Sequence, residues 1–286
     1  MRSIASTPVS RCCLCAALAV ASGPALADNT NPDISPALDR FSLWLGAYEP
    51  DSSTTVSAGL NDPAVKGRIN LQRDLGFPSH RTEPRVRLDF LLGESQGFSF
   101  DYYRLDQSRT RTLDEAIGFH GDTFGASASV TGRVNFDFGS AAYKWWFGHQ
   151  DDVFGVGVGA AYYRVHAGIS GQATVYGPFI GQASGYASAY TTQNAWAPEL
   201  QLGWRHAFSN QLRMYLNASG VKKNGSHLGG HIYDAALGLE WFPWSHVGVG
   251  AEYDYTRINI HQQHHTYNDD IAMRMDGPSV FLRVRF

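Results

Sequence analysis

Two groups of histidines are the residues whose type and spacing could bind a metal ion. His227 and His231 flank a Leu-Gly-Gly segment, and His261, His264 and His265 lie together in His-Gln-Gln-His-His. Imidazole nitrogens are good ligands for zinc, copper or nickel. Both groups are predicted at external loops or strand tips of neighbouring hairpins, so they could meet in space. They are weak metal-site candidates, and the alternative is a set of solvated loop histidines.

The spacing of these histidines argues against a metal site. On an extended strand, His227 and His231 share a face but lie about 13 Å apart. One ion could bind both only if Gly229 and Gly230 fold the segment. The cysteines are confined to positions 12, 13 and 15. We therefore expect no bound metal and no cofactor.

Serine and histidine are adjacent at Ser226-His227 and Ser245-His246. Barrel lipases and acyltransferases use a serine or an acid paired with histidine near the outer rim. Adjacent residues on a strand point to opposite faces, so neither pair should form a catalytic dyad. A catalytic pair of Ser219 or Asp234 with a loop histidine remains an open alternative, although nothing in the sequence pattern favours either residue. We name no catalytic residue and expect a protein that is not an enzyme.

Charged residues that alternate with apolar residues form a third set. At the C-terminus, Arg283 and Arg285 alternate with Leu282, Val284 and Phe286. In a membrane barrel such a strand turns its apolar face to lipid and its charged face to the lumen. The predicted lumen set is Arg85, Arg87, Asp89, Asp101, Arg133, Asp137, Glu199, Arg205, Arg213, Asp234, Glu240, Glu252, Asp254, Arg283 and Arg285.

These charges have two interpretations. They could form a salt-bridge network that fills a narrow interior, because the interiors of small barrels are just wide enough for side chains. They could also line the constriction of a narrow pathway for small solutes. In either case we expect Arg283 and Arg285 to meet acids such as Glu252, Asp254 or Asp89.

The strands that carry these residues have a period of two. The clearest runs from Tyr233 to Trp241, with alternate apolar residues and an aromatic residue at each end. Its eight steps cover about 27 Å at ~3.4 Å each, or roughly 20 Å across a membrane after tilting. A change of phase beside Gly139 predicts a β-bulge. Glycines 155, 157 and 159 should make room for long side chains inside the barrel.

The connections alternate between short turns and long loops, which is typical of transmembrane β-barrels. We predict an all-β, antiparallel, up-and-down barrel over residues 40–286, with ten strands and with eight or twelve as alternatives. An even number places both termini in the periplasm. Residues 49–81 are predicted to be a long external loop, with a hairpin of its own or a piece folded into the lumen.

Residues 1–27 have the pattern of a signal peptide, with Arg2 and Arg11 before an apolar stretch and Ala25-Leu26-Ala27 before Asp28. Residues 28–39 should form a periplasmic lead-in without regular structure. Removing residues 1–27 takes away two of the 23 basic residues and none of the 26 acidic residues. The remaining chain has 21 basic and 26 acidic residues and a formal net charge of −5. The sequence has no stripe of basic residues that would indicate binding to nucleic acid. The expected location is the bacterial outer membrane.

Three segments resemble a broad family of uncharacterised proteobacterial outer-membrane β-barrel proteins: Ile69–Gly76, Phe98–Asp106 and Ala142–Phe147. The resemblance covers the chain from about Phe41 onward. It implies the barrel fold and no particular activity.

The expected role is structural, or one of surface interaction, in the cell envelope. A narrow channel is the alternative and a lipid-modifying enzyme is a lesser one, while the chain is too short for a porin-sized pore. The expected partners are outer-membrane lipids, periplasmic chaperones and the barrel-assembly machinery, for which Phe286 is the predicted signal. The external ligand is not predicted.

Overall fold

The computed structural model describes residues 34–60, 66–113, 117–119, 122–124, 128–177, 181–223, 228–263 and 267–286. The predicted signal peptide and most of the lead-in lie outside these residues. The elements are β1 Phe41–Tyr48, β2 Asp51–Leu60, β3 Lys66–Asn70, α1 Leu71–Leu75, β4 Glu83–Leu91, β5 Gln96–Thr112, β6 Ile117–Phe119, β7 Asp122–Phe124, β8 Ser129–His149, β9 Asp152–Gly177, β10 Gly181–Ala207, β11 Leu212–Lys223, β12 Leu228–Trp241, β13 Val247–Gln263 and β14 Tyr267–Arg285.

Ten strands form a closed antiparallel barrel in the order β1-β4-β5-β8-β9-β10-β11-β12-β13-β14. The ring closes where β1 pairs with β14, with Leu45 opposite Leu282. The predicted fold class and strand number are confirmed. No described helix is long and apolar enough to cross a membrane.

The two ends of the barrel differ. Short turns at residues 92–95, 150–151, 208–211 and 242–246 lie at the same end as the start of β1 and the end of β14. There the amide of Phe41 donates to the carbonyl of Phe286 at 3.1 Å. We call this the turn end and the opposite one the loop end.

A belt of exposed apolar side chains surrounds the barrel near the turn end. Leucine, valine and phenylalanine side chains on the outer face are about half exposed. Aromatic residues border the belt on both sides, as in the girdles of membrane barrels. The girdle at the turn end includes Phe147, Phe154, Trp241, Trp244 and Phe286, and the girdle at the loop end includes Tyr102, Trp196, Tyr233 and Tyr253.

Several strands continue past the loop-end girdle, and β8 illustrates the change in their surroundings. Its pairing with β5 continues without an extra residue, from Asp101–Ser140 through Tyr102–Gly139 to Tyr103–Phe138. The β-bulge predicted beside Gly139 is therefore wrong. Even-numbered residues of β8 face inward from Val130 to Trp146, but its outer face passes from the apolar belt to a polar surface.

The loop half of the barrel has a hydrophobic core inside it. Val134, Phe136, Ile232, Ile258 and Met273 are buried there. This is the reverse of the belt region, where the apolar side chains point outward. The strands are consequently amphipathic throughout, with the apolar face switching from outside to inside.

The described parts of residues 49–81, which are 49–60 and 66–81, contribute to this core. β2 pairs with β14 and β3 with β2. The short helix α1 is capped by the side chain of Asn70 and by Gly76, which adopts the left-handed conformation at φ 66°. Leu75 and Phe77 are buried against Gly132 on the inner face of β8. This segment therefore fills the loop half of the barrel with apolar side chains.

Candidate functional site

A layer of buried ion pairs lies between the hydrophobic core of the loop half and the turn end. Arg85 reaches two carboxylates, with Nη2 2.6 Å from Asp101 Oδ2 and Nη1 2.7 Å from Asp254 Oδ1. Arg87 Nη1 lies 2.6 Å from Glu252 Oε2. Each buried guanidinium thus has a carboxylate partner, as burial of a charge requires.

A second group of charges closes the turn end. Asp39 lies just before β1 and accepts hydrogen bonds from Arg213 Nη1 at 2.9 Å and Arg283 Nη2 at 2.7 Å. Arg283 also donates to Glu240 and lies over the ring of Trp44. Burial raises the pKa of Asp39, but the positive charges of Arg213 and Arg283 outweigh burial and hold that pKa below its ordinary value.

The lead-in brings Asp39 into this group. Residues 34–39 contain no helix or strand, but Ala37 and Leu38 are buried against Trp146 and Val153 at the turn end. Above this contact, Arg205 Nη2 lies 2.7 Å from Asp89 Oδ2. The lead-in therefore closes the turn end of the barrel.

The structure places most of the predicted lumen residues on the inner face. These are Arg85, Arg87, Asp89, Asp101, Glu199, Arg205, Arg213, Asp234, Glu240, Glu252, Asp254 and Arg283. Arg285 lies at the mouth of the turn end, where its side chain donates to the carbonyls of Ser245 and Asn210.

Arg133 and Asp137 differ from the prediction, because they lie on the outer face. Arg133 is exposed, and Asp137 pairs with Arg104 at 3.4 Å on the outside of the barrel. Both lie beyond the loop-end girdle. There water surrounds the barrel, so the charged side of the strand is the outer one.

The predicted partners of the two C-terminal arginines also need correction. Arg283 pairs with Glu240 and Asp39, and Arg285 approaches Asp39 at 3.8 Å. The acids Glu252 and Asp254 belong to Arg87 and Arg85, nearer the loop half. The tilt and stagger of the strands decide which side chains of different strands lie at the same depth in the barrel, and spacing in the sequence alone does not give that depth.

Among the interior residues absent from the predicted set are Asp39, Lys144 and Tyr215. Lys144 lies on the inner side of β8 between Ala142 and Trp146. The alternation of inward and outward residues along this strand could have identified it. Tyr215 donates its hydroxyl hydrogen to Glu252. Asp39 precedes the first strand, so no alternation marks it.

Glycines on β9 leave room for these side chains. A Cβ atom on Gly155 would lie 2.8 Å from the ring of Trp146, and one on Gly157 would lie 2.8 Å from Cγ of Lys144. Long side chains of β8 therefore cross the interior above small residues of β9.

Little space remains in the polar layer. A cavity of about 60 Å³ is lined by residues that include Arg87, Lys144, Glu199 and Asn217, and one of about 10 Å³ lies beside Asp89 and Trp146. Oε2 of Glu199 and Oδ1 of Asn217 are buried without a protein hydrogen-bond partner among the described residues. The larger cavity has room for a few water molecules, since each needs roughly 10–15 Å³.

Of the metal-site candidates, His227, His264 and His265 lie outside the described residues. His231 contacts the side-chain amide of Asn259 at 3.0 Å, and His261 is exposed. The described part of the chain contains no group of three histidine, cysteine or acidic residues that could hold a metal ion.

The Ser245-His246 pair differs from the expectation of opposite faces. Ser245 Oγ lies 3.2 Å from His246 Nδ1, because both residues belong to the turn at 242–246 and not to a strand. The pair is exposed at the turn end, and the imidazole packs near the ring of Phe286. The other pair, Ser226-His227, lies outside the described residues.

Comparison with solved structures places the fold. The outer-membrane protease OmpT of Escherichia coli covers 86% of this chain and 96% of its own, with 10% identity and a TM-score of 0.53. The translocator domain of NalP from Neisseria meningitidis covers 86% and 88%, with 11% identity and a TM-score of 0.45. OprG of Pseudomonas aeruginosa covers 86% and 98%, with 9% identity and a TM-score of 0.36.

The chain folds as a β-barrel of the type found in the bacterial outer membrane. No family model matches it, and no curated protein matches it in sequence. At 10% identity the likeness to OmpT concerns the fold alone. The outer-membrane location agrees with the exposed apolar belt and its two aromatic girdles.

Proposed function

We propose that this outer-membrane barrel is non-conducting and serves a structural or surface-interaction role in the envelope. The observation that carries the proposal is the filled interior. The lead-in and the Asp39 group occupy the turn end, ion pairs occupy the middle, and the hydrophobic core with Leu75 and Phe77 occupies the loop half. A solute would have to displace all three layers.

The proposed orientation places the turn end in the periplasm and the loop end outside the cell, as in other barrels of this class. The external half then forms a rigid rim whose inside is apolar and whose outside is polar. We also propose that the protein belongs to the uncharacterised proteobacterial family that Phe98–Asp106 and Ala142–Phe147 resemble.

A strand edge on this rim supports a role in surface interaction. β11 pairs with β10 only from Ala207 to Glu199. From Pro198 to Gly181, β10 pairs with β9 alone among the described residues. A strand that pairs with a neighbour on one side only can accept an extended segment of another protein. The edge contains no charged residue from Gly181 to Pro198, and charge is a common protection against such pairing.

Conductance in planar bilayers tests the proposal. Folded protein, identified by heat-modifiable migration on a gel, is expected to insert without discrete current steps. Steps that Arg213→Ala abolishes, and that the outer-face variant Arg164→Ala leaves unchanged, would instead establish the narrow channel.

An enzymatic role is a further candidate, because one solved structure with this fold is a protease. The described residues offer a single histidine-carboxylate contact, between His206 Nδ1 and Asp152 Oδ1 at 2.9 Å. It lies on the outer face at the turn end, away from the external rim. Incubation with a mixture of peptides, or with lipid A and phospholipids, each followed by mass spectrometry, is expected to leave all of these substrates unchanged.

A further inference from the structure

Two arginines face each other across neighbouring strands on the outer surface. Arg257 of β13 is the register partner of Arg274 of β14. Both side chains are exposed, and both share the outward side of their strands with Tyr253, Tyr255 and Val280. Like charges placed directly opposite each other destabilise a sheet. An anion bound between them would remove that cost.

Only one of the two arginines has a carboxylate partner among the described residues. Asp276 Oδ1 accepts from Arg274 Nε at 2.9 Å, and Oδ2 accepts from the hydroxyl of Tyr253 at 3.0 Å. Asp51 lies opposite Asp276 on the side away from Arg257. Arg257 has no carboxylate within 4 Å among the described residues, so one positive charge remains unmatched.

Two more basic groups lie beside the arginine pair. Lys222 of β11 is the register partner of His231 of β12, and both point outward. His231 is the register partner of Asn259 on β13. Asn259 is the next outward-facing residue after Arg257 in the direction of the loop end. The outer face of β11 to β14 therefore carries a basic patch, defined by Lys222, His231, Arg257 and Arg274.

The depth of the basic patch indicates its ligand. Tyr233 is the register partner of Arg257, and Tyr255 is two residues nearer the belt. These tyrosines belong to the aromatic girdle that marks the boundary of the hydrocarbon region. The arginine side chains therefore lie at the level of the lipid headgroups, where phosphate is the abundant anion. Arginine binds phosphate through two parallel hydrogen bonds.

A groove on the lipid-facing wall lies below the basic patch. It is a shallow, open depression of about 830 Å³, lined by residues of β11 to β14, including Ala251 and Val249 of β13 and Val280 of β14, and by residues of β1 and β4. Ala251 is six residues from Arg257, about 20 Å along the strand. After a tilt of ~40° the depth is about 15 Å, a distance that acyl chains span below a bound headgroup.

We propose that the basic patch and this groove together form a site for one phosphate-bearing lipid of the outer leaflet, of the lipid A type. Arg257 and Arg274 hold the phosphate, Lys222 and His231 flank it, and the acyl chains lie in the groove. The proposal uses the orientation given above but does not depend on whether the barrel conducts.

Native mass spectrometry of the folded protein in detergent tests the site with three probes: bisphosphorylated lipid A, the same lipid without phosphates, and inorganic phosphate. Wild-type protein should bind bisphosphorylated lipid A. Loss of charge-assisted hydrogen bonds in the Arg257→Gln, Arg274→Gln variant should weaken binding by about tenfold or more. Removing the phosphates from the lipid should have the same effect on wild-type protein.

Arg104→Gln is the matched control. Arg104 is exposed on the outer face of β5 just beyond Tyr102, but Asp137 already lies 3.4 Å from it. This variant should bind lipid A as the wild type does. Equal binding by the double variant, indifference to the lipid phosphates, or equally tight binding of inorganic phosphate alone would overturn the proposal. Because all of these side chains are exposed, each variant should retain heat-modifiable migration.

Discussion

At the scale of single residues, the interior depends on the pairing of its buried arginines with carboxylates. Arg283 lies between Glu240 and Asp39 with its guanidinium over Trp44. Arg213 relies on Asp39 at 2.9 Å. Replacing a whole buried ion pair by apolar groups often costs little, but removing one partner leaves an uncompensated charge. Asp39 is therefore the most sensitive position at the turn end.

Asp39→Asn should lower the free energy of unfolding by about 3 kcal/mol at pH 7. The pKa of Asp39 is lowered in the folded barrel, so its stabilisation is complete above the ordinary aspartate pKa of ~3.9. It is lost as pH falls through the lower folded pKa. Urea unfolding at pH 7 and at pH 3 should thus show the difference between wild type and variant shrinking in acid.

Asp137→Asn is the matched control for this experiment. Asp137 pairs with Arg104 on the outer face, where water screens the charges, so its loss should change stability by less than about 1 kcal/mol. A difference for Asp39→Asn that is the same at both pH values would contradict the assigned charge state of Asp39.

At the scale of the strand, alternation in the sequence was sufficient for the fold class and the number of strands. It was insufficient for strand length and for the direction of side chains beyond the membrane. Val134 and Phe136 have the same alternation as lipid-facing residues, but they form part of an internal core. A pattern of alternate apolar residues reports two faces and does not say which solvent each face meets.

The candidate site was predictable to a similar extent. Residues such as Arg85 and Asp254 could be placed inside from their parity, whereas the pairing of Arg283 with Glu240 depends on how the tilted strands are staggered. Asp39 could not be found, since its position results from the fold of an irregular segment. The switch of surroundings along the strand explains why Arg133 and Asp137 were assigned to the wrong face.

Cysteine labelling can test the orientation of β8 beyond Gly139. The natural cysteines lie within residues 1–27, so a single introduced cysteine can be followed. Arg133→Cys should react with a membrane-impermeant maleimide on intact cells, because Arg133 is exposed. Val134→Cys should react only after unfolding, because Val134 is buried in the core. Protection of position 133 together with labelling of position 134 would contradict the continuous register.

At the scale of the whole molecule, the barrel combines a belt region with a loop half that has its own hydrophobic core. β10 extends fifteen residues past Trp196 of the girdle, about 50 Å along the strand. Beyond Gly171 the β9–β10 hairpin pairs with other described strands only through Thr174, opposite Thr123. This outer part of the hairpin should therefore be dispensable for folding.

Replacing residues 172–186 by an Asn-Gly turn should leave heat-modifiable migration intact and change the free energy of unfolding by less than about 1 kcal/mol. A longer replacement, of residues 165–193, is the comparison. It removes β9 residues that pair with β8, including Ile169 and Ala167 of the core, and should destabilise the barrel clearly. Failure of the shorter variant to fold would show that the hairpin tip supports the barrel.

The reversal of surroundings along the long strands has a consequence for how this surface can evolve. Outward positions in the belt must stay apolar, but outward positions beyond the girdle, such as Arg133 and Arg164, are exposed and lie outside the core. Every second residue there can change without disturbing the core. Antibodies and bacteriophages that recognise the rim would therefore meet a surface able to drift in sequence while the barrel keeps its stability.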